Sequence, residues 1–597
     1  MEHKNLNNQY LELVKQLRSE LNDEGFWSGK LSSSALATAV SIVTFKLNNE
    51  IPDNKLIEHG LEWLFANTNS DGGFGDTPES NSNVNTSLLC YAAISYCGEG
   101  DARQSEALSR IDNYLFQQKI DLKKGDITTS ILAFYGNDFT FSVPILSMLI
   151  ICGVLDEKAA KKIPQLPFEL SLLPATWYSR INLHVVSYAV PALIAVGIFI
   201  FRKRRFHNPV MAWIRNKSIQ PALKKLERII PESGGFLEAI PLTAFVDMCL
   251  LSCGLKENKT IIKGLAFLRN LERPDGSWPI DTDLSTWVTT LSIKAVGNQM
   301  TNQFTNFETE KLSAHLKAIQ YKEQHPFNLA QPGGWGWTNF SGSVPDVDDT
   351  SGAIIALLTI YKSDIELDEA IINGCRWLVS LQNKDGGYPT FCKGWGRLPF
   401  DSSCADLTGH ALLALTKSLN TLGEKMQPEL KNSISVCISR SFGFLWKAQN
   451  DDGSWVPLWF GNQFTANKKN PVYGTAKVII YLSDSLMCNI LDDNLKNNIG
   501  KMISNARQYL RLQQNKNGSW GGEIDMPGTI EESSLAVSAL IGEDENAVLK
   551  GFAWLQKEAD DNGLRSNPIG LYFAMLWYDE KLYPLIYYIE ALRRYLY

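Results

Sequence analysis

The chain has 597 residues, 44% hydrophobic and 20% charged, which is enough apolar material for two large domains. Its formal net charge is −7 and its isoelectric point is near 5.7, so a nucleic-acid-binding protein is not expected. Its ten cysteines form no Cys-x-x-Cys pair, which predicts buried free thiols in a reducing compartment.

The first segment, MEHKNLNNQYLELVKQL, is polar and amphipathic, which predicts a helix rather than a secretory signal. Further along, the uncharged run Val185–Phe201 contains Pro191 and is followed by a basic cluster at 202–205. This run is short for a membrane span. It fits a buried core helix, a span, or a segment that dips into one leaflet with the basic cluster at the headgroups. Either membrane interpretation places the protein on the cytoplasmic side.

Five segments of the chain repeat one form, in which two aromatic residues stand 11 positions apart with an Asn/Asp-Gly turn between them. The turn glycine predicts a positive φ that ends a helix, and the second aromatic residue is expected to fold back onto the turn. A degenerate sixth copy lies at 551–565. The aromatic pairs are Trp63/Phe74, Phe267/Trp278, Trp377/Tyr388, Phe444/Trp455 and Tyr509/Trp520.

In three copies a glutamine (Gln382, Gln449 or Gln514) precedes the second aromatic residue by six positions. We expect its amide to bond backbone groups that the helix end leaves open. An apolar run with helical spacing follows each turn, whereas alternation typical of strands is scarce. The repeat therefore predicts an all-α protein of paired helices stacked around a ring.

The stretch PDVDDT places Asp346, Asp348 and Asp349 directly before an apolar helical run. Backbone amides at a helix N-terminus stabilise an anion and so strengthen an acid, whereas crowded like charges keep a proton on the cluster near neutral pH. Downstream, His410 follows Asp406 by four positions, on the same helix face. In isolation the first motif would also fit a helix cap and the histidine a core position.

The repeats, PDVDDT and the segment DSSCADLTGH together resemble the squalene–hopene cyclase family of class II terpene cyclases, over essentially the whole chain. The resemblance implies an all-α fold of two α/α-barrel domains with a cavity between them. Residues 23–287 would be an inserted barrel with the membrane-dipping segment at about 185–201. Residues 1–22 plus 288–597 would be the catalytic barrel. The family further implies monotopic association with one leaflet at the cytoplasmic face of the cell membrane, and a homodimer.

By this resemblance Asp348 donates a proton to an alkene, and Asp346 and Asp349 orient it and tune its pKa. His410 would stabilise the conjugate base, and Asp406 would hold the imidazole and keep it cationic. The resemblance implies no metal and no cofactor. Aromatic faces stabilise carbocations by cation–π attraction. The aromatic residues implied for this role are Trp287, Trp337 and Trp455, then Trp459, Phe460, Tyr572 and Phe573.

The predicted reaction is the polycyclisation of squalene to a hopene-type pentacyclic triterpene. Trp337-Thr338 stands where many hopene-forming members have Phe-Gln, and the segment PIGLYFAMLWYDEKLYP resembles enzymes that cyclise other long polyprenoids. A tetraprenyl-curcumene or sporulenol type of substrate is therefore an alternative, and a prenyl diphosphate is another.

Outside the cyclases, the alternatives are a helical-barrel carbohydrate enzyme with two carboxylates and a lipid-binding solenoid. The abundant tryptophan favours lipid over sugar, and a binding role alone would not need Asp348 or His410. The magnesium-binding Asp-rich motif of class I prenyl enzymes is not matched, since LDDNLKNN lacks its third aspartate.

Overall fold

The computed structural model describes residues 2–122, 127–135, 139–174, 186–204, 208–394, 398–572 and 576–597. Helices dominate this part of the chain, as predicted. Up to residue 270 they are α1 (Glu2–Ser19), α2 (Ala35–Asn48), α3 (Asn54–Ala66), α4 (Val84–Cys97), α5 (Gln104–Gln117), α6 (Ile127–Tyr135), α7 (Phe139–Ile151), α8 (Val186–Lys203), α9 (Pro209–Ile229), α10 (Ile240–Leu251) and α11 (Lys259–Asn270).

The C-terminal half is also built mainly of helices. These are α12 (Ser285–Val296), α13 (Met300–Gln303), α14 (Asn306–Ile319), α15 (Val347–Thr359), α16 (Ile365–Leu381), α17 (Ala405–Leu422), α18 (Pro428–Ala448), α19 (Pro471–Leu486), α20 (Asp493–Leu512), α21 (Ile530–Leu540), α22 (Glu545–Asn562) and α23 (Tyr583–Leu596).

Short strands and 3-10 turns connect these helices. Strands β1 (Ser33–Ser34) and β2 (Trp278–Pro279) pair antiparallel, as do β3 (Gly570–Tyr572) and β4 (Leu576–Tyr578). The 3-10 turns are Ile51–Asp53, Glu157–Lys161, Phe168–Leu172, Phe236–Glu238, Gly297–Gln299, Gly423–Lys425 and Ala466–Lys468.

The N-terminal half of the chain is a closed ring of helices. α2 packs against α4 and α10, α8 packs against α10 and α7, and α7 contacts α4. α3, α5 and α11 lie outside the ring, against α2, α4 and α10. Inner helices meet neighbours on every side, so they are apolar all round. α10 illustrates this, because every residue from Ile240 to Leu251 except Leu242 is buried.

The C-terminal half forms a second ring, in which α12, α15, α17, α19, α21 and α23 pack in this order and α23 closes against α12. α14, α16, α18, α20 and α22 form the outer layer, and α1 packs against α23. The structure is therefore the predicted all-α pair of α/α-barrels. The domain limits stay a prediction, and α12, which crosses the predicted limit at 287, belongs to the second ring.

The aromatic turns form as predicted. The glycines at 72, 276, 386, 453 and 518 all have positive φ, between +84° and +98°. The indole N–H of Trp278, Trp455 and Trp520 donates to the carbonyl ten residues earlier, in the last turn of the preceding helix, at 2.7, 3.0 and 2.8 Å. Each of these turns therefore ends an outer helix and holds it against the next inner one.

The glutamine amides also bond as predicted. Each Nε2 donates to the carbonyl of its own turn glycine and to a carbonyl of the next outer helix, at 2.9–3.0 Å. The three residues are Gln382, Gln449 and Gln514. The structure adds a fourth copy that the sequence analysis missed, because Gln320 donates to Gly333 and Ala370 in the same way.

The apolar run Val185–Phe201 forms α8, apart from Val185, which lies outside the described residues. Residues 194–201 are buried because α8 belongs to the inner ring and packs against α7 and α10. The predicted insertion of this segment into a leaflet is wrong for residues 194–201, since side chains enclosed by the ring cannot contact lipid. Of the helices in the described ranges, none is long and apolar enough to cross a bilayer.

Candidate active site

Three carboxyl groups meet at the N-terminus of α15. Asp346 is the N-cap residue, and its Oδ1 accepts a hydrogen bond of 2.9 Å from the backbone N–H of Asp349. Its Oδ2 and Oδ1 of Asp349 are buried and have no hydrogen-bond partner among the described residues. Burial raises the pKa of Asp346 to about 8, and burial followed by the charge of Asp346 raises that of Asp349 well above its ordinary value. The cluster therefore retains protons near neutral pH.

Asp348 is the most exposed carboxyl group of this cluster and faces a cavity. Its side chain is 20% exposed, whereas Asp346 and Asp349 are each 4% exposed as residues. Its Oδ1 lies 2.8 Å from Nδ1 of His410 on the neighbouring helix α17. One face of Asp348 is thus available to a substrate, and an imidazole occupies the other.

Contacts with two aromatic rings, rather than a second hydrogen bond, position the imidazole of His410. It stacks on Tyr481 with ring centroids 4.7 Å apart and meets the edge of Trp287 at 5.9 Å. Its Nε2 is buried without a partner in the described part of the chain. Burial lowers the pKa of His410, and the hydrogen bond to Asp348 acts in the opposite direction.

Asp406 does not make the hydrogen bond that the sequence analysis predicts for it. Its Oδ1 accepts from the thiol of Cys404 at 2.6 Å, while His410 is bonded to Asp348. Burial and then the charge of Asp348 raise the pKa of Asp406 to about 6. The expected role of Asp406 in holding the imidazole is therefore corrected. The four-residue spacing does place Asp406 and His410 on one helix face, but the carboxylate of Asp406 bonds the thiol of Cys404 instead of the imidazole.

The cavity beside Asp348 lies at the end of the C-terminal ring where its inner helices begin. Most of its wall is aromatic or aliphatic. In the described ranges it is lined by Leu284, Trp287, Trp337, Asp346, Asp348, Asp349, Thr390, Phe391, Trp459, Phe460, Leu571, Tyr572 and Tyr578. Trp287, Trp337, Trp459, Phe460 and Tyr572 thus lie where the sequence analysis expects cavity aromatics.

Two predicted aromatic residues do not join this wall. Trp455 is fully buried and its indole N–H donates to Leu445, so it closes a helix turn instead of facing the cavity. Phe573 lies outside the described residues. From the sequence alone, an aromatic residue that closes a glycine turn cannot be distinguished from one that lines the cavity.

Hydrogen bonds fix the orientation of the cavity tryptophans. The indole N–H of Trp287 donates to the hydroxyl of Tyr583 at 3.0 Å, and that of Trp459 donates to Thr390 at 2.8 Å. Phe460 stacks on Tyr473 with centroids 4.1 Å apart. Side chains anchored in this way present fixed ring faces to whatever occupies the cavity.

Phe391, Thr390 and Tyr578 also line the cavity and were not predicted from the sequence. A signal for the first two was available, since both follow Tyr388, the second aromatic residue of a turn, by two or three positions. Trp337 stands two positions after Trp335, whose indole N–H closes a turn on Leu316. The short segment between a turn aromatic and the next inner helix therefore supplies the cavity wall.

No group of three or more His, Cys, Asp and Glu side chains suited to a metal ion occurs within the described ranges. The absence of a metal and of a cofactor from the reaction stays a prediction.

Two family models match the chain. The squalene-hopene cyclase N-terminal domain matches residues 12–234, and the squalene-hopene cyclase C-terminal domain matches residues 285–570. The chain belongs to the squalene–hopene cyclase family. The resemblance that the sequence motifs indicate is therefore confirmed at the level of the family.

Relatives of the chain include proteins with different products in their names. Enfumafungin synthase of Hormonema carpetanum is 23% identical over 651 residues, which cover 93% of this chain and 45% of the relative. Sporulenol synthase of Bacillus subtilis is 27% identical over 284 residues, which cover 44% of this chain and 42% of the relative. The match therefore spans less than half the length of either relative.

Among solved structures, the ent-copalyl diphosphate synthase from Streptomyces platensis has a TM-score of 0.61 to this chain at 16% sequence identity. The superposition covers 98% of this chain and 99% of that one. This likeness establishes a shared fold of two helical barrels.

Proposed function

We propose that this cyclase protonates a terminal double bond of squalene with Asp348 and cyclises it, without a metal, to a hopene-type pentacyclic triterpene. The observation that carries the proposal is the hydrogen bond of 2.8 Å between Asp348 and His410 at the wall of an aromatic cavity. A carboxyl group that is bonded on one side and open to an apolar space on the other suits protonation of an alkene.

Alkenes are poor bases, so the donor must lose its proton readily and be aimed at one carbon. The first-turn amides of α15 and the hydrogen bond from His410 favour the carboxylate that remains on Asp348. Asp346 and Asp349, which retain protons because of burial, add little negative charge beside it. Asp348, the most exposed of the three carboxyl groups at the cavity, is therefore placed to give its proton to the substrate.

The aromatic wall suits the second half of the reaction. Cations that migrate along a folded polyprene need stabilisation by groups that do not attack them. Ring faces supply this, at about 2 kcal/mol or more for each desolvated contact. Trp287, Trp337, Trp459 and Phe460 are placed for this role around the acid.

The wall also favours an uncharged polyprene over a prenyl diphosphate. A diphosphate needs Lys or Arg side chains for its charge. The described residues that line the cavity include neither. Because the chain is similar to a sporulenol synthase as well, a longer head-to-tail polyprene of the tetraprenyl-curcumene type is the alternative substrate.

Purified, detergent-solubilised enzyme tests the proposal. We would incubate it with squalene, with a head-to-tail C35 polyprene and with geranylgeranyl diphosphate, and identify the products by mass spectrometry. We expect a pentacyclic product from squalene, unaffected by EDTA, and none from Asp348→Asn. The control is Asp451→Asn, which alters an exposed aspartate. Equal turnover by Asp348→Asn would contradict the donor assignment, and turnover of the other two substrates alone would contradict squalene.

We also propose association with one membrane leaflet at the cytoplasmic face of the cell membrane. The support is an exposed surface where the turn Phe168–Leu172 packs on α9. Leu172 and Leu173 are 37% and 36% exposed there, beside the basic Lys224 and Arg228, and Trp213, nearer the start of α9, is 65% exposed. Liposome flotation of wild type and Trp213→Ser tests this, and equal binding would contradict it. The homodimer stays a prediction, which light scattering of the solubilised enzyme checks.

A further inference from the structure

Lys477 is a buried lysine of the inner ring that has no hydrogen-bond partner among the described residues. It lies on α19 and is 3% exposed. Its Nζ lies 5.1 Å from the ring centroid of Tyr481, 5.6 Å from those of Trp287 and Tyr587, and 5.9 Å from that of Tyr473. Such a cage of aromatic faces attracts an ammonium ion and has no comparable attraction for a neutral amine.

This cage adjoins the acid. Tyr481 and Trp287, two of its rings, are also the two rings that contact His410. The unpartnered Nε2 of His410 and the unpartnered Nζ of Lys477 therefore lie in the same enclosed region. Burial lowers the pKa of Lys477, and the charges of Glu590, Asp348 and Asp406 act in the opposite direction.

Other charged groups face Lys477 from the helices of the ring. α12 contributes Lys294, whose Nζ lies 5.5 Å from the Tyr481 ring and bonds Glu590 of α23 at 2.5 Å. Arg594 of α23 is bonded to Glu590 and Asp484, so its charge is compensated locally.

The remaining neighbours are three acids and the imidazole of His410. α15 contributes Asp348, α17 contributes Asp406 and His410, and α21 contributes Glu531, whose charge acts on the caging Tyr587. Burial raises the pKa of Glu531 to about 8, and it bonds Asn567. Because Lys294 and Arg594 have carboxylates of their own, Lys477 is the cation in this set that lacks an ion pair among the described residues.

We propose that Lys477 carries the positive charge that stabilises the Asp348 carboxylate as its proton leaves, and that His410 is a neutral bridge that orients this carboxylate. The inference rests on the proposed function. Two further observations support it. Asp406, which would keep an imidazole cationic, bonds Cys404 instead, and an ammonium ion near His410 opposes a second positive charge there.

The proton balance is simple. The O–H bond of Asp348 breaks, a C–H bond forms on the polyprene, and the carboxylate remains facing an ammonium ion that keeps its three protons. The cation is later quenched by loss of a proton from carbon or by addition of water. Asp348 then regains a proton from solvent, so Lys477 is a positioning residue that neither gives nor takes one.

Lys477→Met tests this, because methionine has a similar length and no charge. We expect kcat to fall about ten-fold or more with little change in KM. Without the ammonium group of Lys477, the carboxyl cluster at the start of α15 should retain its proton to higher pH. The alkaline limb of the plot of kcat against pH should therefore move up by about one pH unit. The melting temperature should not fall, because an unpaired buried charge has been removed. A merely structural lysine would move the melting temperature down and leave the limb in place.

Lys477→Arg, which keeps the charge, should restore most of kcat and the wild-type limb. Lys469→Met, at an exposed site near the start of α19, is the matched control. The inference is overturned if Lys477→Met keeps the wild-type limb, or if Lys477→Arg turns over once normally and then stops, which would make Lys477 a proton carrier. If the wild type cyclises squalene and Asp348→Asn does not, the proposed function holds. A negative result for the Lys477 variants then contradicts the role of Lys477 alone.

Discussion

Oδ1 of Asp348 and Nδ1 of His410 lie 2.8 Å apart, which joins α15 to α17 across 62 residues of sequence. The aspartate side chain is 20% exposed and the histidine side chain 1%. The pair is therefore open to the cavity on the carboxyl side only. The imidazole belongs to the interior of the ring and acts on the substrate through Asp348.

Replacing His410 by phenylalanine tests how much this bond contributes. The ring can still stack on Tyr481, so the melting temperature should change little. Loss of a preorganised donor to the developing carboxylate should lower kcat by about 100-fold. His59→Phe, at a half-exposed surface site, is the control for the substitution itself. Wild-type kcat in His410→Phe would contradict the role of the pair.

The features that the sequence predicts correctly are local. The turn glycines, the indole bonds to carbonyls ten residues earlier and the bonds from the glutamine amides to their own turn glycines depend on chemistry within one helix end. The acid cluster at a helix N-terminus is local as well. Their physical causes lie within a window of about 15 residues, so their spacing alone carries the information.

The features that it predicts wrongly depend on which helix lies next to which. The apolar run in α8 is equally suited to lipid and to an inner ring, and its packing against α10 decides between them. Asp406 and His410 share a helix face, but Asp406 is bonded to Cys404 and His410 is bonded to Asp348. Lys477 gives no sign in the sequence, because its cage is assembled from α12, α19 and α23.

The carboxyl cluster predicts the pH dependence of the reaction. Burial raises the pKa of Asp346 to about 8, so the folded cluster binds its proton more tightly than an exposed aspartate does. The proposed mechanism needs Asp346 to keep this proton, because an ionised Asp346 would oppose the negative charge that forms on Asp348, so activity should be maximal below this pKa and lost as pH rises through about 8. Initial rates of squalene cyclisation between about pH 3.5 and 9.5 check this. An alkaline limb near pH 4–5 would mean that the cluster titrates like exposed carboxyl groups.

The glutamine turns should contribute to stability and not to catalysis. Gln382→Ala leaves the carbonyls of Gly386 and Cys437 without this donor, which should cost about 1–3 kcal/mol. Gln514→Ala should cost a similar amount and shares no partner with Gln382, so the two losses should add within about 0.5 kcal/mol. Denaturant unfolding measures both. A fall in kcat at temperatures where the variants remain folded would argue against a purely structural role.

Two glycines near the same turn should respond in opposite directions to alanine. Gly453 has a φ of +92°, and a Cβ there would lie 2.5 Å from the carbonyl oxygen of Asn505. Gly453→Ala should therefore destabilise the fold by about 1–3 kcal/mol. Gly443 is exposed within α18 with open space around it, so Gly443→Ala should stabilise by about 0.5–1 kcal/mol. Thermal unfolding of both variants compares them, and equal shifts would contradict the assignment of the turn.

Trp287 and Trp455 provide the final comparison, because the sequence assigns both to the cavity and the structure places only Trp287 there. Trp287→Phe reduces the ring face beside the acid and beside Lys477, so it should lower kcat by about ten-fold and release partly cyclised products. Trp455→Phe loses its bond to Leu445 and should lower the free energy of unfolding by about 1–3 kcal/mol with an unchanged product pattern. Product analysis and denaturant unfolding of both variants measure the difference. Altered products from Trp455→Phe would mean that this residue contacts the substrate after all.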